Sequence, residues 1–320
     1  MNANKRIKIL CVDGGGVRGV IPARILQAIE QTTQKSSGEL FDIAIGTSTG
    51  GFIVLSLGVG TGNTAKYKAV DIVNFYRDTA KKIFTKSLAR AIITGFSLWG
   101  ARYNNKTLYR VLQEIFGNAL LSETLYAAYI PFYSLNGVGK PHIANTPLAK
   151  KNDEYNFYLK DIAAATSAAP TYFAPVEFTS VSGSKHYKGA DGSIFANNPE
   201  LLSILAAHYK NSNFERDNVV IVSIGTGEVE KTTQVLTNDG IIGWLKEEDL
   251  IDLLIHSESE IIELVVKAAF PKHYRLQVAI PKPLKALDDA ANVPQLLQCA
   301  ENYITKNASL IKEVSNVITT

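Results

Sequence analysis

Cysteine is nearly absent. Cys11 and Cys299 are the only two in 320 residues, which excludes a disulfide framework and any cysteine-based zinc spacing. Each sits in an apolar run and reads as a buried free thiol. No run of five like charges occurs, and 33 basic residues against 30 acidic ones leave a net charge of +3. That balance supplies no strong field for nucleic acid. The longest weakly polar run, Gly50 to Gly60, is too short to cross a bilayer. Basic residues precede Cys11, but no continuous apolar stretch forms before Asp13, so no signal peptide is expected. A cytoplasmic or membrane-peripheral protein is the expectation, with export without a cleaved signal as the alternative. No repeat, low-complexity linker or composition break divides the chain. With 46% hydrophobic and 20% charged residues it is ordinary globular material.

What is present is an alternation of strand-like and helix-like segments. Ile7 to Val12 is an apolar run that stops at Asp13-Gly14-Gly15-Gly16. It reads as the first strand of a parallel sheet buried on both faces. Val20 to Gln31 follows with helical spacing at Ile21, Ile25, Leu26 and Ile29. Phe41 to Ile45 reads as a second strand and Phe52 to Leu57 as a helix body. Further helices are expected over Thr64 to Phe84, Asn105 to Phe116, Asp161 to Ala168, Pro199 to His208, Leu245 to Ala269 and Val293 to Ile318. Strands are expected over Tyr126 to Leu135, Lys140 to Asn145, Lys185 to Gly189, Val219 to Ile224 and Arg275 to Ile280. The pattern predicts one α/β domain over residues 1–320. Its form is a three-layer α/β/α sandwich with a mostly parallel central sheet, and the C-terminal helices of 245–320 pack on it.

Two glycine-rich turns carry the chemistry. Gly46-Thr47-Ser48-Thr49-Gly50 has the G-x-S-x-G spacing of a nucleophile elbow between a strand and a helix. Side chains at minus two and plus two would collide in so sharp a turn, and glycine avoids that. The serine falls at a helix N-terminus, where free N–H groups favour negative charge. The bland alternative is a simple connecting turn. Asp13-Gly14-Gly15-Gly16-Val17-Arg18-Gly19 can point backbone N–H groups into a cavity, as an oxyanion hole requires. Both turns would lie at the carboxyl ends of parallel strands and can face each other. The rival reading is dinucleotide binding, since Gly14-x-Gly16-x-x-Gly19 follows a strand. That motif needs an acidic residue ending the second strand. Here Glu39 and Asp42 fall before or inside that strand, which ends in Ser48 instead.

A serine hydroxyl needs a base. His142 and His186 flank hairpin-like strands, and His208 and His256 lie within helices. His273 is the one loosely plausible triad member. Asp191, in Lys188-Gly189-Ala190-Asp191-Gly192-Ser193, is the stronger candidate. It ends a strand at a turn, and a partly desolvated carboxylate has the raised pKa a base needs. An ordinary Asp-Gly turn is its bland alternative.

Taken in order, Asp13-Gly-Gly-Gly-Val-Arg-Gly19, Gly46-Thr-Ser-Thr-Gly50 and Asp191-Gly192 resemble the patatin-like phospholipases. So do Ala165 to Phe173, Phe195-Ala-Asn-Asn-Pro199 and Ser223-Ile-Gly-Thr-Gly227. The resemblance covers Ile7 to Gly227, and nothing beyond Gly227 matches. It implies an α/β/α fold with Ser48 as nucleophile, Asp191 as base and no catalytic histidine. It also implies an oxyanion hole from the N–H groups around Gly14, Gly15 and Gly16, with Arg18 supporting that loop. Ser193 stands where the family usually has glycine or alanine. The implied activity is hydrolysis of acyl esters of phospholipids or related lipids, with no cofactor, no metal and no nucleic acid partner. A lipid substrate implies transient contact with a membrane surface. Phe84 to Trp99 mixes apolar and basic residues and reads either as a membrane-facing cap or as a core helix with its loop. Two other classes stay in view. One is a catalytically silent interaction protein, and the other is an enzyme switched by a nucleotide. The family has bacterial members activated by cyclic nucleotides, but no feature here marks such a site.

Overall fold

The computed structural model describes residues 6–62, 64–84, 101–212, 214–229 and 250–320. Among these, eight strands build the main sheet. They are β1 (Ile7–Val12), β2 (Ile43–Gly46), β3 (Ala127–Ser134), β4 (Lys140–Asn145), β5 (Val176–Thr179), β6 (His186–Asp191), β7 (Val219–Ile224) and β8 (Lys272–Leu276). The order is β8-β7-β1-β2-β3-β6-β5, with β4 also paired to β3. From β8 to β3 every neighbouring pair is parallel, while β4 and β6 run antiparallel to β3. The α/β sandwich read from the alternation is therefore the fold.

Alternation along the strands explains the three layers. Leu10 and Val12 of β1, with Val220, Val222 and Ile224 of β7, join a large apolar cluster on one face. Packed there are α1 (Val20–Thr33), α2 (Thr49–Gly58), α3 (Ala69–Ile83), α4 (Asn105–Phe116), α5 (Leu159–Thr166), α8 (Val293–Lys306) and α9 (Ala308–Thr319). Ile7, Ile9 and Cys11, with Val219 and Ile221, point to the other face. There they meet Ala206 and Ala207 of α6 (Leu202–Lys210) and Ile262 and Val266 of α7 (Leu250–Ala269). A strand buried along its whole length is nearly all apolar, as β7 is; its one polar residue, Ser223, accepts a hydrogen bond from Arg275 at 2.7 Å.

Several boundaries differ from the sequence reading, each for a local reason. Ser36 and Glu39 form a capping box, so Ser37–Leu40 is a short helix and β2 begins only at Ile43. The helix expected from Thr64 starts at Ala69, where the Asp71 carboxylate accepts the Lys68 N–H at 2.8 Å. The strand expected over Arg275 to Ile280 is two pieces. Lys272–Leu276 pairs with β7, and Ala279–Ile280 pairs with Glu228–Val229. Strand β5, Val-Glu-Phe-Thr, is a strand the sequence pattern does not announce, since four alternating residues carry no apolar run. The start of the helix expected from Leu245, and Thr85 to Trp99 of the candidate membrane cap, lie outside the described residues. Phe84 packs edge-on against Tyr103 and Phe173. No helix among the described residues is long and apolar enough to cross a membrane.

One register feature positions the site. Tyr129 of β3 pairs with Ile45 of β2 on one side and Asn145 of β4 on the other. Three residues on, Phe132 pairs with Asp191 of β6 and again with β4, at His142. Strands β2 and β6 therefore share one edge of β3 and meet on it end to end, running in opposite directions.

Candidate active site

At that meeting point β2 turns directly into α2. Ser48 has φ 54° and ψ −123°, a conformation that non-glycine residues rarely hold. A side chain at Gly46 would overlap the Gly50 carbonyl, and one at Gly50 would overlap the Val12 carbonyl. The turn is closed by the Gly50 N–H donating to Thr47 O at 2.8 Å. The Ser48 N–H donates to Thr166 Oγ1 at 3.0 Å, and the Thr166 hydroxyl donates to Pro131 O at 2.7 Å. The strained residue is thus tied to α5 and β3.

Ser48 Oγ donates to Asp191 Oδ2 at 2.7 Å. The other carboxylate oxygen, Oδ1, accepts the Ser193 N–H at 2.8 Å. Asp191 is fully buried, and that burial pushes its carboxyl up to about 6 from an ordinary 3.8, with the bonds from Ser193 and Ser48 opposing. A carboxylate so raised is a better proton acceptor than an exposed one.

The glycine loop lies directly over Ser48. A Cβ on Gly14 would come 3.3 Å from Ser48 Cβ. The Gly14 N–H donates to Asn197 O at 3.0 Å, and the Val17 N–H to Leu287 O at 2.9 Å. Thr226 Oγ1 donates to Gly14 O at 2.7 Å. Arg18 is buried and lines the same pocket, and its N–H donates to Gly15 O at 3.1 Å. Asn197, Thr226 and Leu287 were not singled out in the sequence. For Asn197 and Thr226 the signal was visible, since both sit in the stretches Phe195 to Pro199 and Ser223 to Gly227. Leu287 had none.

The histidines are elsewhere. His142 stacks on Phe132 at 5.3 Å, His186 bonds Thr179 at 3.1 Å, and His208 is exposed near the end of α6. His273 is in β8 and not near a helix end, and its Nε2 lies 3.2 Å from Glu200 Oε2. Its buried carboxylate partner, not Asp191, accounts for it. The side chain of His256 lies outside the described residues. Among the described residues no histidine lines the pocket over Ser48, and no cluster suited to a metal ion occurs. The two acidic residues weighed for dinucleotide binding have local duties. Glu39 caps a helix, and Asp42 accepts the Lys8 N–H at 3.0 Å.

From Ser48 an apolar pocket runs between α2, α3 and α4. Counting its open mouth it encloses about 920 Å³. Phe52, Phe75, Ile83, Phe84, Leu108, Leu112, Phe173 and Leu287 make its walls, and Asp191 and Ser193 stand with Ser48 at its polar end.

The family model for patatin-like phospholipases matches residues 10–204. This chain belongs to that family. Patatin-like protein 2 of Arabidopsis thaliana is 31% identical over 82% of this chain and 72% of its own length. A second relative, from Solanum tuberosum, is 29% identical over 95% of this chain and 87% of its own, and is named probable inactive patatin-3-Kuras 1. VipD of Legionella pneumophila, a solved structure, aligns at 12% identity over 93% of this chain and 67% of its own, with a TM-score of 0.35. The matched patatin-like region ends in the first turn of α6, so Thr226, Arg275 and Leu287 all fall outside it.

Proposed function

We propose that this patatin-like protein is a lipid acyl hydrolase of the phospholipase A type, acting through a Ser48–Asp191 dyad and an acyl-enzyme. The observation that carries the reading is the 2.7 Å hydrogen bond from a strained serine to a buried carboxylate, at the polar end of an apolar pocket. Asp191 takes the Ser48 proton as Ser48 Oγ attacks the ester carbonyl. The carbonyl oxygen becomes an oxyanion, and the alcohol or lysolipid leaves with a proton returned by Asp191. Water then attacks the acyl-enzyme with Asp191 again as base, releasing the fatty acid.

The oxyanion donors in this reading are the N–H groups of Gly15 and Gly16. The Gly14 N–H is already committed to Asn197 O, so the expected trio narrows to two, with Gly14 fixing the course of the loop. Arg18 supports the loop. The apolar walls suit an acyl chain, and the substrate would be drawn from a lipid surface.

A catalytically silent reading has support in the name of the Solanum relative. The complete dyad here favours the enzyme. Product analysis on a mixed phospholipid panel decides, with fatty acid and lysolipid expected from wild type and neither from Ser48→Ala. A fluorophosphonate that labels a serine other than Ser48 would sink the dyad.

A further inference from the structure

We infer that Arg275, on a strand beyond the residues that the family model matches, is a positioning residue for the oxyanion loop, acting through Asp13. This rests on the reading of Ser48 and the glycine loop as catalytic.

Strand register brings the residues together. Arg275 of β8 pairs with Ser223 of β7, and Ser223 pairs with Cys11 of β1. The guanidinium reaches along this row to Asp13, two residues past Cys11. Its Nη1 and Nη2 donate to Asp13 Oδ1 and Oδ2 at 3.0 and 2.5 Å, a two-pronged pair. Nη1 also lies 2.7 Å from Ser223 Oγ and 3.2 Å from Glu200 Oε1. All three charged side chains are under a tenth exposed.

Such a buried ion cluster is poor evidence for stability, because desolvation offsets the attraction. What it does supply is a fixed direction. Asp13 is the last residue before the three glycines, and its N–H donates to Ile224 O at 3.1 Å. With its carboxylate gripped at two oxygens, the residue cannot rotate. The loop is then held at Asp13, at Gly14 through Thr226 and Asn197, and at Val17 through Leu287. Gly15 and Gly16 lie between these anchors, in a short turn where the Gly15 carbonyl accepts the Arg18 N–H at 3.1 Å. Three glycines in a row have the weakest intrinsic preference for any one backbone path, so their direction must come from outside. An oxyanion hole tolerates little error, since a misplacement near 1 Å costs on the order of a hundredfold in rate.

The test compares Arg275→Lys and Asp13→Asn with Arg24→Lys, which breaks the remote two-pronged Arg24–Glu301 pair and serves as a control for ion-pair loss. Expected for Arg275→Lys is a fall in kcat of roughly tenfold to a hundredfold with KM within about twofold. Affinity for an alkyl boronic acid, which forms a tetrahedral adduct with serine, should fall in parallel. Affinity for the neutral alkyl amide of the same length should not change. Asp13→Asn should reproduce this, and the double variant should cost no more than either single one, because both remove one interaction. Arg24→Lys should lower the melting temperature and leave kcat alone. Unchanged kcat in folded Arg275→Lys, or in Asp13→Asn should the arginine variant not fold, overturns the inference. So do additive losses in the double variant. Equal inactivity of wild type and Ser48→Ala is a different result. It rejects the catalytic reading, and this inference with it.

Discussion

Ser48 donates its hydroxyl proton straight to Asp191, with no imidazole between them, and the accepting carboxylate has no exposed surface. The elbow supplies half of this geometry and the shared edge of β3 the other half. Burial of Asp191 then gives the pair a pH response that can be measured.

In the proposed mechanism the acceptor works only when ionised. Its carboxyl is pushed up to about 6 by burial, so hydrolysis should fall about tenfold per pH unit below 6 and level off above it. Asp161 titrates in the same range, also raised to about 6 by burial, but it faces Tyr109 on α4. A pH–rate profile of Asp161→Asn should keep the same midpoint. A midpoint that moves in this variant would reassign the titration.

Asp191 should also weaken the fold it serves. Its folded pKa lies above the ordinary 3.8, so the folded state holds the proton more tightly. Stability is then lost as pH rises from about 4 through 6, and the loss persists above. A rise of that size corresponds to roughly 3 kcal/mol as an upper figure. Asp191→Asn should be inactive yet melt higher than wild type at pH 8, with the gain gone at pH 4. Thermal denaturation at the two pH values checks the sign.

Thr166 should matter although it bears no reacting atom. It accepts the Ser48 N–H and donates to Pro131 O from a buried position. Thr166→Val keeps the shape and strands both partners. A loss of about 1–3 kcal/mol of stability is expected, with a fall in kcat exceeding any change in KM. Chemical denaturation and steady-state kinetics read the two effects separately.

Acyl length should respond to α4. Leu108 and Leu112 are buried in the pocket wall. Leu112→Trp should lower kcat/KM for a long-chain p-nitrophenyl ester at least about tenfold and spare the acetate ester. Equal losses on both esters would remove the pocket from the acyl role.

Much of this site was legible in the sequence because its signals are local. The steric demand of the elbow is met by Gly46 and Gly50 within five residues. The three-glycine loop and the Asp191-Gly192 turn are equally short. The apolar runs of β1 and β7 announced strands buried on both faces. Element ends were less legible where a cap intervened, as at Lys68 and Asp71, and β5 was too short for its alternation to stand out.

By itself the sequence determined most of the elements, the elbow serine and the glycine loop, since neighbouring residues decide backbone conformation. It also disfavoured a triad, since only His273 was loosely placed for one, and the structure pairs that residue with Glu200. Tertiary structure alone decided which residues share a site. Sheet register set β2 and β6 end to end on β3, and so placed Ser48 against Asp191 across 143 positions of chain. Register likewise carried Arg275 to Asp13 across 262 positions. Chain folding put the Leu287 carbonyl against Val17 and buried Asp191, raising its pKa. Pairings at such separation leave no local pattern, because the partner that satisfies each group is chosen by the sheet and not by its neighbours in sequence.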